Sequence, residues 1–430
     1  MATKAHMQLE PASGEREQVR WNTGVRIGFR FCFLYFMLYI LTNQVFNGLI
    51  PTNGFEVPDL SATPAVRQMV FWTADHLFHV PQAKIVYQGS GSGDKTWDWV
   101  LAFLVLVFSV FGTAIWSALD RKRLNYVALH KWCYVLIRFA LGTQMLSYGM
   151  DKFIPLQMPF PPLTRLVEPY GNFSPMGVLW YSIGASPAYE IFVGAAEMFG
   201  GILLFFPRTA LFGALVCLAD VIEVFTLNMT YDVPVKLFSF HLILMSLLLL
   251  GPEMRRIAAF FFSNRAVAPS SRPALFQSAR RNRVAFWVQS VYGVVMIAAN
   301  AYSVQQGWYK YGAGSPKSPL YGIWNVQGQP GEWKRVIFDR PQAASFQKQD
   351  DTFTGFPVTI DQKAGTIAVA KGNDKNFGIL KYQRVRPDAM KLDGSMEGKP
   401  VHLELKLVDR SKMMLVSRGF HWVQEYPFNR

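Results

Sequence analysis

The chain has 430 residues and a formal net charge of +14; 51% of its residues are hydrophobic, 15% aromatic and only 17% charged. Soluble domains seldom combine so many aromatic residues with so few charged ones, so this composition predicts a membrane protein. The positive charge does not indicate nucleic-acid binding, because many basic residues lie in short loops between apolar runs rather than in one patch. Three cysteines, Cys32, Cys133 and Cys217, each lie in an apolar run, and we interpret them as small buried residues.

The chain begins with a polar segment, residues 1–25, which we expect to be disordered and cytoplasmic. Seven apolar runs follow, each close to the roughly 20 residues needed to cross the hydrocarbon core of a bilayer. They are residues 27–50, 97–119, 132–150, 188–206, 209–227, 233–250 and 284–302. We interpret the first run as a retained span rather than a cleaved signal, because it is long and its polar leader is too charged.

Loop charges orient these spans. Basic residues concentrate before the first run, in the loop DRKRLNYVALHK after the second, and in the loop 261–283 after the sixth. All three segments fall on one side under alternation, and the positive-inside rule makes that side cytoplasmic. The predicted organisation is therefore two spans with an outer amphipathic segment, PAVRQMVFWTADHLFHV, in 26–130. A four-helix bundle in 131–260, the basic loop, a last span in 284–306 and an extracytoplasmic β domain in 307–430 follow.

The β domain is predicted from about eight short runs with alternating polarity, from YGIWNVQ to MMLVSRGFHWVQ, separated by turn residues. This pattern is typical of an antiparallel barrel or sandwich. The motif Gly322-Ile323-Trp324, together with Arg418 on the last predicted strand, resembles the calycin pattern, in which an arginine stacks over a tryptophan and closes one barrel end. The alternative is a filled barrel that caps the membrane bundle.

Ionisable side chains within and at the ends of spans three to six are the candidate site, because a charge at the bilayer centre costs at least ~2.5–3.5 kcal/mol. The predicted catalytic residues are Glu197, Asp220, Glu223, Lys236 and His241, and the predicted ligand-binding residues are Arg138, Asp151, Lys152, Glu190 and Asp232. Placed by depth, they are expected to line one outward-facing polar pocket. Acids outnumber fixed cations there, which implies protonated acids or a bound positive group.

One alternative to a functional site remains for this cluster. A structural ion-pair network would explain pairs such as Asp232 and Lys236 at i, i+4. A metal site is not predicted, because His241 is the one histidine in the cluster.

Residues of about 130 to 260 resemble the DoxX-like family of bacterial integral membrane proteins. The matching stretches are IRFALGTQMLSYGMDKF, AYEIFVGAAEMFGGILLFFPRTALFGAL and YDVPVKLFSFHLILMSLLLL. The resemblance covers about a third of the chain. It implies a four-helix core with a buried glutamate in its second helix, the bacterial inner membrane, a periplasmic β domain, and a link to quinone-coupled oxidation.

Three functions follow as hypotheses. The first is a redox-linked membrane protein that binds a quinone or another lipophilic ligand near Glu197, Asp220, Lys236 and His241 and works with a redox partner protein. The second is a carboxylase-like enzyme with Lys236 or His241 as base, suggested by a weaker resemblance to vitamin K-dependent membrane carboxylases. The third is a non-enzymatic transporter or assembly factor whose outer barrel binds a partner.

Overall fold

The computed structural model describes residues 20–51, 57–263, 266–267, 269–270, 273–328 and 331–429, without the side chains of 375 and 376. Most of the N-terminal segment predicted to be disordered therefore lies outside the described residues. Two compact units form: the first comprises Met1–Met145, Gly200–Phe225 and Pro234–Met296, and the second comprises Leu146–Phe199, Thr226–Val233 and Ile297–Arg430.

The helices in chain order are α1 Thr23–Leu41, α2 Gln44–Gly48, α3 Pro64–His76, α4 Thr96–Leu119, α5 Val127–Phe153, α6 Pro175–Gly184, α7 Pro187–Phe205, α8 Ala210–Thr230, α9 Lys236–Leu250, α10 Met254–Phe262, α11 Ala279–Lys310 and α12 Met414–Ser417. The predicted amphipathic segment in the loop after the first span is confirmed as helix α3. Its first position is Pro64, where the missing N–H of proline costs no hydrogen bond.

Among the described residues, six helical segments are long and apolar enough to cross a membrane: α1, α4, α7, α8, the continuous stretch Lys236–Phe262, and α11. Large apolar side chains such as Phe111 and Ile115 on α4, and Val288 and Val294 on α11, are exposed along these helices, as expected for contact with lipid. The chain is thus a multi-pass membrane protein in its helical part.

One of the seven predicted spans differs from the other six in hydropathy. The run 132–150 forms the middle of α5, which is a 27-residue helix but does not reach the hydropathy of the other six. Arg138 and Gln144, both buried, lower its mean hydropathy. A helix can be polar in this way when protein rather than lipid surrounds its polar side chains.

The C-terminal part is a closed barrel of consecutive antiparallel strands, which confirms the predicted antiparallel β domain. The strands are β1 Gly322–Val326, β2 Trp333–Phe338, β3 Ala343–Lys348, β4 Phe353–Asp361, β5 Thr366–Lys371, β6 Asp374–Arg386, β7 Ala389–Met396 and β8 Lys399–Leu407. Trp324 pairs with Val336 on one side and with Leu407 on the other, so β1 joins β8 and leaves no open edge.

The barrel interior is a packed core around Trp324, Phe338 and Phe346, each at most 1% exposed. A cavity of about 350 Å³ opens at one barrel mouth, where Trp333 and Phe377 are among the lining residues. Two features favour the glycine of the GxW motif: Gly322 has φ +148°, and a Cβ there would force the side chain of Leu407 to shift.

The arginine over the tryptophan is not the one predicted. Arg384 on β6 lies over the Trp324 ring, with its guanidinium carbon 5.8 Å from the ring centroid. Arg418 lies beyond the last strand and packs 4.0 Å from the Phe428 ring instead. The prediction failed because the run 413–424 is not a strand: β8 ends at Leu407, and the chain then forms the short helix α12.

Candidate functional site

Helices α5 and α7 touch backbone to backbone in the second unit. A Cβ added to Gly194 would lie 2.6 Å from the carbonyl oxygen of Gly149, and one added to Gly149 would lie 2.7 Å from the amide nitrogen of Met198. Both distances are below any that real side chains tolerate, so the crossing requires glycine at each position. Adjacent side chains on the two helices are thereby brought within hydrogen-bond reach of each other.

The crossing places a buried ion pair beside it. The Nζ of Lys152, near the end of α5, donates to Oε1 of Glu197 on α7 at 2.6 Å, and the two residues are 6% and 2% exposed. Glu190, Gly194 and Glu197 are spaced i, i+4, i+7 and therefore share the helix face that meets α5. Both glutamates are buried, as expected for side chains on that face.

Glu190 is fully buried and is bound by backbone. Its Oε1 accepts the N–H of Met158 at 2.9 Å, and its carboxylate interacts electrostatically with Lys152. Asp151, which is half-buried, interacts in the same way with Lys152 and with Glu197. Three carboxylates thus surround one ammonium group, and the cluster carries two negative charges in excess if all are ionised.

Three buried acceptor oxygens in this region have no hydrogen-bond donor among the described residues: Oε2 of Glu190, Oε2 of Glu197 and Oε1 of Gln157. A buried oxygen left without a donor costs about 1–3 kcal/mol, and more when it is charged. Native proteins therefore usually give such atoms a partner, from ordered water, an ion or a ligand where the protein supplies none. The arrangement is suited to a ligand that brings O–H or N–H groups, or to protons that the carboxylates exchange.

The proline- and aromatic-rich segment after α5 forms part of this site. Trp180 of α6 donates its indole N–H to the carbonyl of Gln157 at 2.8 Å. Further along, Leu163 is buried against Ile323 and Ile337 of the barrel, and its N–H is bonded to Asp339. The segment is thus tied both to the site and to the β domain within the second unit.

His241 lies in the first unit and is 2% exposed. Its Nδ1 is 2.7 Å from the carbonyl oxygen of Leu237, which can only accept, so we assign the proton to Nδ1. In the neutral ring Nε2 then accepts from the hydroxyl of Tyr35 at 2.8 Å. The imidazole also stacks on Tyr39 with ring centroids 3.8 Å apart.

Lys236 begins α9 in the first unit, and Asp94 caps that helix. The Asp94 carboxylate accepts the N–H of Lys236 at 2.8 Å and that of Leu237 at 2.9 Å, and the Nζ of Lys236 is 3.8 Å from the same carboxylate. Gly93 also donates to the carbonyl of Pro234. The Gly-Ser stretch QGSGSGDK, which looks like a flexible connector, therefore ends in a helix cap.

Arg138 is buried in the first unit, where its guanidinium donates to the carbonyl of Phe205, at the end of α7, and to the side chain of Gln289 on α11. Asp220 is half-buried and Glu223 exposed, both on α8. Asp232 is exposed in the turn after α8, with φ +53°.

The structure therefore brings together four of the ten predicted residues, Asp151, Lys152, Glu190 and Glu197, within one unit. Lys236 and His241 have their own partners in the other unit, and the prediction of one common pocket stays a prediction. Within the described ranges, no group of three or more His, Cys, Asp or Glu residues is arranged to hold a metal ion. Gln157, Asp94 and Tyr35 were missed because single polar residues in a loop or an apolar run give no periodic signal.

Comparison with known proteins adds one likeness. Over 134 residues, which are 31% of this chain and 85% of the relative, the chain is 28% identical to a protein of Bacillus subtilis (strain 168) described as "Uncharacterized protein YwoB". No family model matches the chain. No solved structure matches it either. This likeness carries no activity with it, and the resemblance to the DoxX-like family stays a prediction.

Proposed function

We propose that this membrane protein binds a lipophilic ligand of the quinone class at the site around Lys152, and that the buried carboxylates there exchange protons with it. The observation that carries the proposal is the set of buried acceptors without donors, Oε2 of Glu190, Oε2 of Glu197 and Oε1 of Gln157. A quinol, the reduced form, carries two hydroxyl groups on an apolar ring and supplies the donors that these oxygens lack.

The chemistry follows from the charges of the site. Oxidation of a quinol to a quinone releases two protons and two electrons. Glu190 and Glu197 would accept the protons, and this requires the quinol hydroxyl groups to bind within hydrogen-bond reach of them. Lys152 holds Glu197 in position and offsets part of the negative charge. The electrons would pass to the redox partner protein that the DoxX-like resemblance implies.

The carboxylase-like alternative is less well supported. A catalytic base needs a lone pair directed at its substrate. The Nε2 lone pair of His241 accepts from Tyr35, and the ammonium of Lys236 lies beside Asp94 at the start of α9. Both groups are thus engaged in contacts that build the helix and its packing.

The assembly-factor alternative has one observation in its favour. Aromatic side chains after α12 are strongly exposed, with Phe420 at 77%, Trp422 at 91% and Tyr426 at 84%. Exposed aromatic residues at this density are typical of contact surfaces for protein or membrane partners. We retain partner binding by this segment as the second candidate function.

The test is quinol binding by the purified full chain in detergent. A short-chain quinol is titrated against wild type, Glu190→Gln and Glu197→Gln, with Glu223→Gln as the matched control on an exposed carboxylate. Because each site variant replaces a charged acceptor by a neutral one, we expect affinity to fall about tenfold or more, while the control binds like wild type. Folded site variants with unchanged affinity would contradict the proposal.

A further inference from the structure

A cavity lies within the first unit between α5 and α11, and none of its lining residues belongs to the proposed quinone site. Its volume is about 850 Å³, within the range of sites that hold a lipid-sized or drug-sized molecule. The walls are apolar, with Trp132, Leu136, Phe139, Val284, Val288 and Tyr292 among the lining residues. Because α11 is one of the candidate spans, the medium beside this cavity is the bilayer.

The cavity is held open by specific contacts. The hydroxyl of Tyr292 donates to the carbonyl of Leu49 at 2.7 Å, and the Trp132 and Phe276 rings meet edge to face. The side chain of Asn282 makes two hydrogen bonds to the backbone of Phe276: its oxygen accepts the N–H, and its amide nitrogen donates to the carbonyl oxygen. A preformed wall of this kind costs a ligand little ordering free energy on binding.

The polar side chains on the floor of the cavity are engaged within the protein. The amide nitrogen of Gln289 donates to the carbonyl of Ala285, and its oxygen accepts from Arg138. The hydroxyl proton of Tyr292 is used by Leu49. An apolar floor of this kind suits a hydrocarbon chain, which needs no hydrogen-bond partner.

One end of the cavity is strongly positive. Arg280 and Arg281 line it at the first turn of α11, and the hydroxyl of Ser278 lies at the same end. Both guanidinium groups are exposed and have no acidic partner in the part of the chain that the structure describes. The N-terminus of a helix adds a partial positive charge at the same place.

We propose that this cavity binds one acidic glycerophospholipid, with its phosphate between Arg280 and Arg281 and an acyl chain along the apolar wall. The charges select the head group: two guanidinium groups bind a phosphodiester by paired hydrogen bonds, and the quaternary amine of a zwitterionic choline lipid would meet like charge. The occupant is thus a lipid of the membrane face that carries the basic loop 261–283, and this site is independent of the quinone site.

The experiment uses the full chain, delipidated in detergent, with phosphatidylglycerol or phosphatidylcholine added back in mixed micelles. Native mass spectrometry counts the retained lipid, and the unfolding midpoint reports its effect on stability. The variants are Arg280→Gln/Arg281→Gln, the charge-matched control Arg255→Gln/Arg283→Gln, and Val288→Trp, which fills the cavity from an exposed position without changing charge.

We expect wild type and the charge-matched control to retain phosphatidylglycerol over phosphatidylcholine and to be stabilised by it. The site double variant should lose that preference by about tenfold or more, and Val288→Trp should lose retention of both lipids. Glycerol 3-phosphate at equal concentration should not stabilise wild type, since it has no acyl chain. Equal retention of the two lipids by wild type, or an equal loss in both double variants, would overturn the proposal.

Discussion

Replacing Gly194 by alanine tests the geometry on which the whole site depends. The added Cβ would lie closest to the amide nitrogen of Phe153, and 2.6 Å from the carbonyl oxygen of Gly149 and 2.8 Å from the carbonyl carbon of Lys152, whereas ordinary van der Waals contact begins at 3.4 Å. These neighbours are all backbone atoms, so no rotamer change relieves the overlap, and α5 and α7 must separate by about 1 Å. A shift of that size would stretch the 2.6 Å contact between Lys152 and Glu197 beyond the usual hydrogen-bond range.

The expected stability change combines two opposing effects. Overpacking costs about 1–3 kcal/mol, and a clash with rigid backbone belongs at the upper end of that range. The higher helix propensity of alanine than of glycine stabilises the folded state by about 1 kcal/mol. We therefore expect Gly194→Ala to lose about 2 kcal/mol of unfolding free energy and to weaken quinol binding in parallel.

The assay is chemical unfolding in detergent micelles, paired with the quinol titration. Gly28→Ala on α1 is the matched control, because a Cβ at Gly28 meets nothing within 4 Å. That variant should be unchanged or more stable by about 0.5–1 kcal/mol. If Gly194→Ala is as stable as Gly28→Ala, the close crossing of α5 and α7 is not as described here.

Three further predictions concern single contacts. Lys152→Met leaves the buried Glu197 carboxylate without its countercharge and should cost about 3–5 kcal/mol, whereas Lys152→Met/Glu197→Leu should cost less than Lys152→Met alone. Chemical unfolding of wild type, Lys152→Met, Glu197→Leu and the double variant closes the cycle. Asp94→Ala removes the cap from the first amides of α9 and should cost about 1 kcal/mol, seen as faster hydrogen exchange at those amides. Arg384→Met should lower barrel stability by about 0.5–1 kcal/mol, while Arg418→Met, the position predicted from sequence, should not.

Each of these has a result that would count against it. A double variant that is less stable than Lys152→Met would mean that the two side chains do not compensate each other. Unchanged hydrogen exchange at the first amides of α9 in Asp94→Ala would mean that Asp94 does not cap this helix. If Arg418→Met lowered barrel stability more than Arg384→Met did, Arg418 would be the arginine that closes the barrel end, as the sequence predicts.

The helical spans and the barrel class could be predicted because each leaves a periodic signal of apolar residues along the chain. Strands β3 and β7, AASFQK and AMKLDGSM, are hard to see because alanine, glycine and aspartate weaken the alternation on which strand prediction depends. The prediction for the segment 413–424 had the opposite error, since a strand was predicted where none forms. Its apolar residues imitate a strand, but β1 already pairs with β8, so the closed barrel has no edge for it.

The candidate site could be predicted in part. Glu190 and Glu197 were identified because a spacing of seven residues places them on one helix face, and the charge of Lys152 stands out at the end of an apolar run. Their partners could not be predicted. The backbone N–H of Met158 and the oxygen of Gln157 enter the site through the path of an irregular loop, and a loop path leaves no pattern in sequence.

The pairing of Lys236 also shows that the partner of a charged residue could not be predicted from the sequence. Its charge in an apolar context attracted a catalytic interpretation, and the structure gives it a structural partner, Asp94, from a segment 142 residues away. A buried or half-buried charge marks a place that needs a partner, and only the fold decides whether that partner comes from the protein or from a ligand.

The most direct test of the central claim is an experimental structure of the full chain in lipid nanodiscs with a short-chain quinol at saturating concentration. The account predicts density for the quinol ring beside α5 and α7, with a hydroxyl oxygen about 2.5–3.0 Å from Oε2 of Glu190 or Glu197. Density for the quinol elsewhere, or a water-filled site whose carboxylates are bridged by waters alone at saturation, would contradict it.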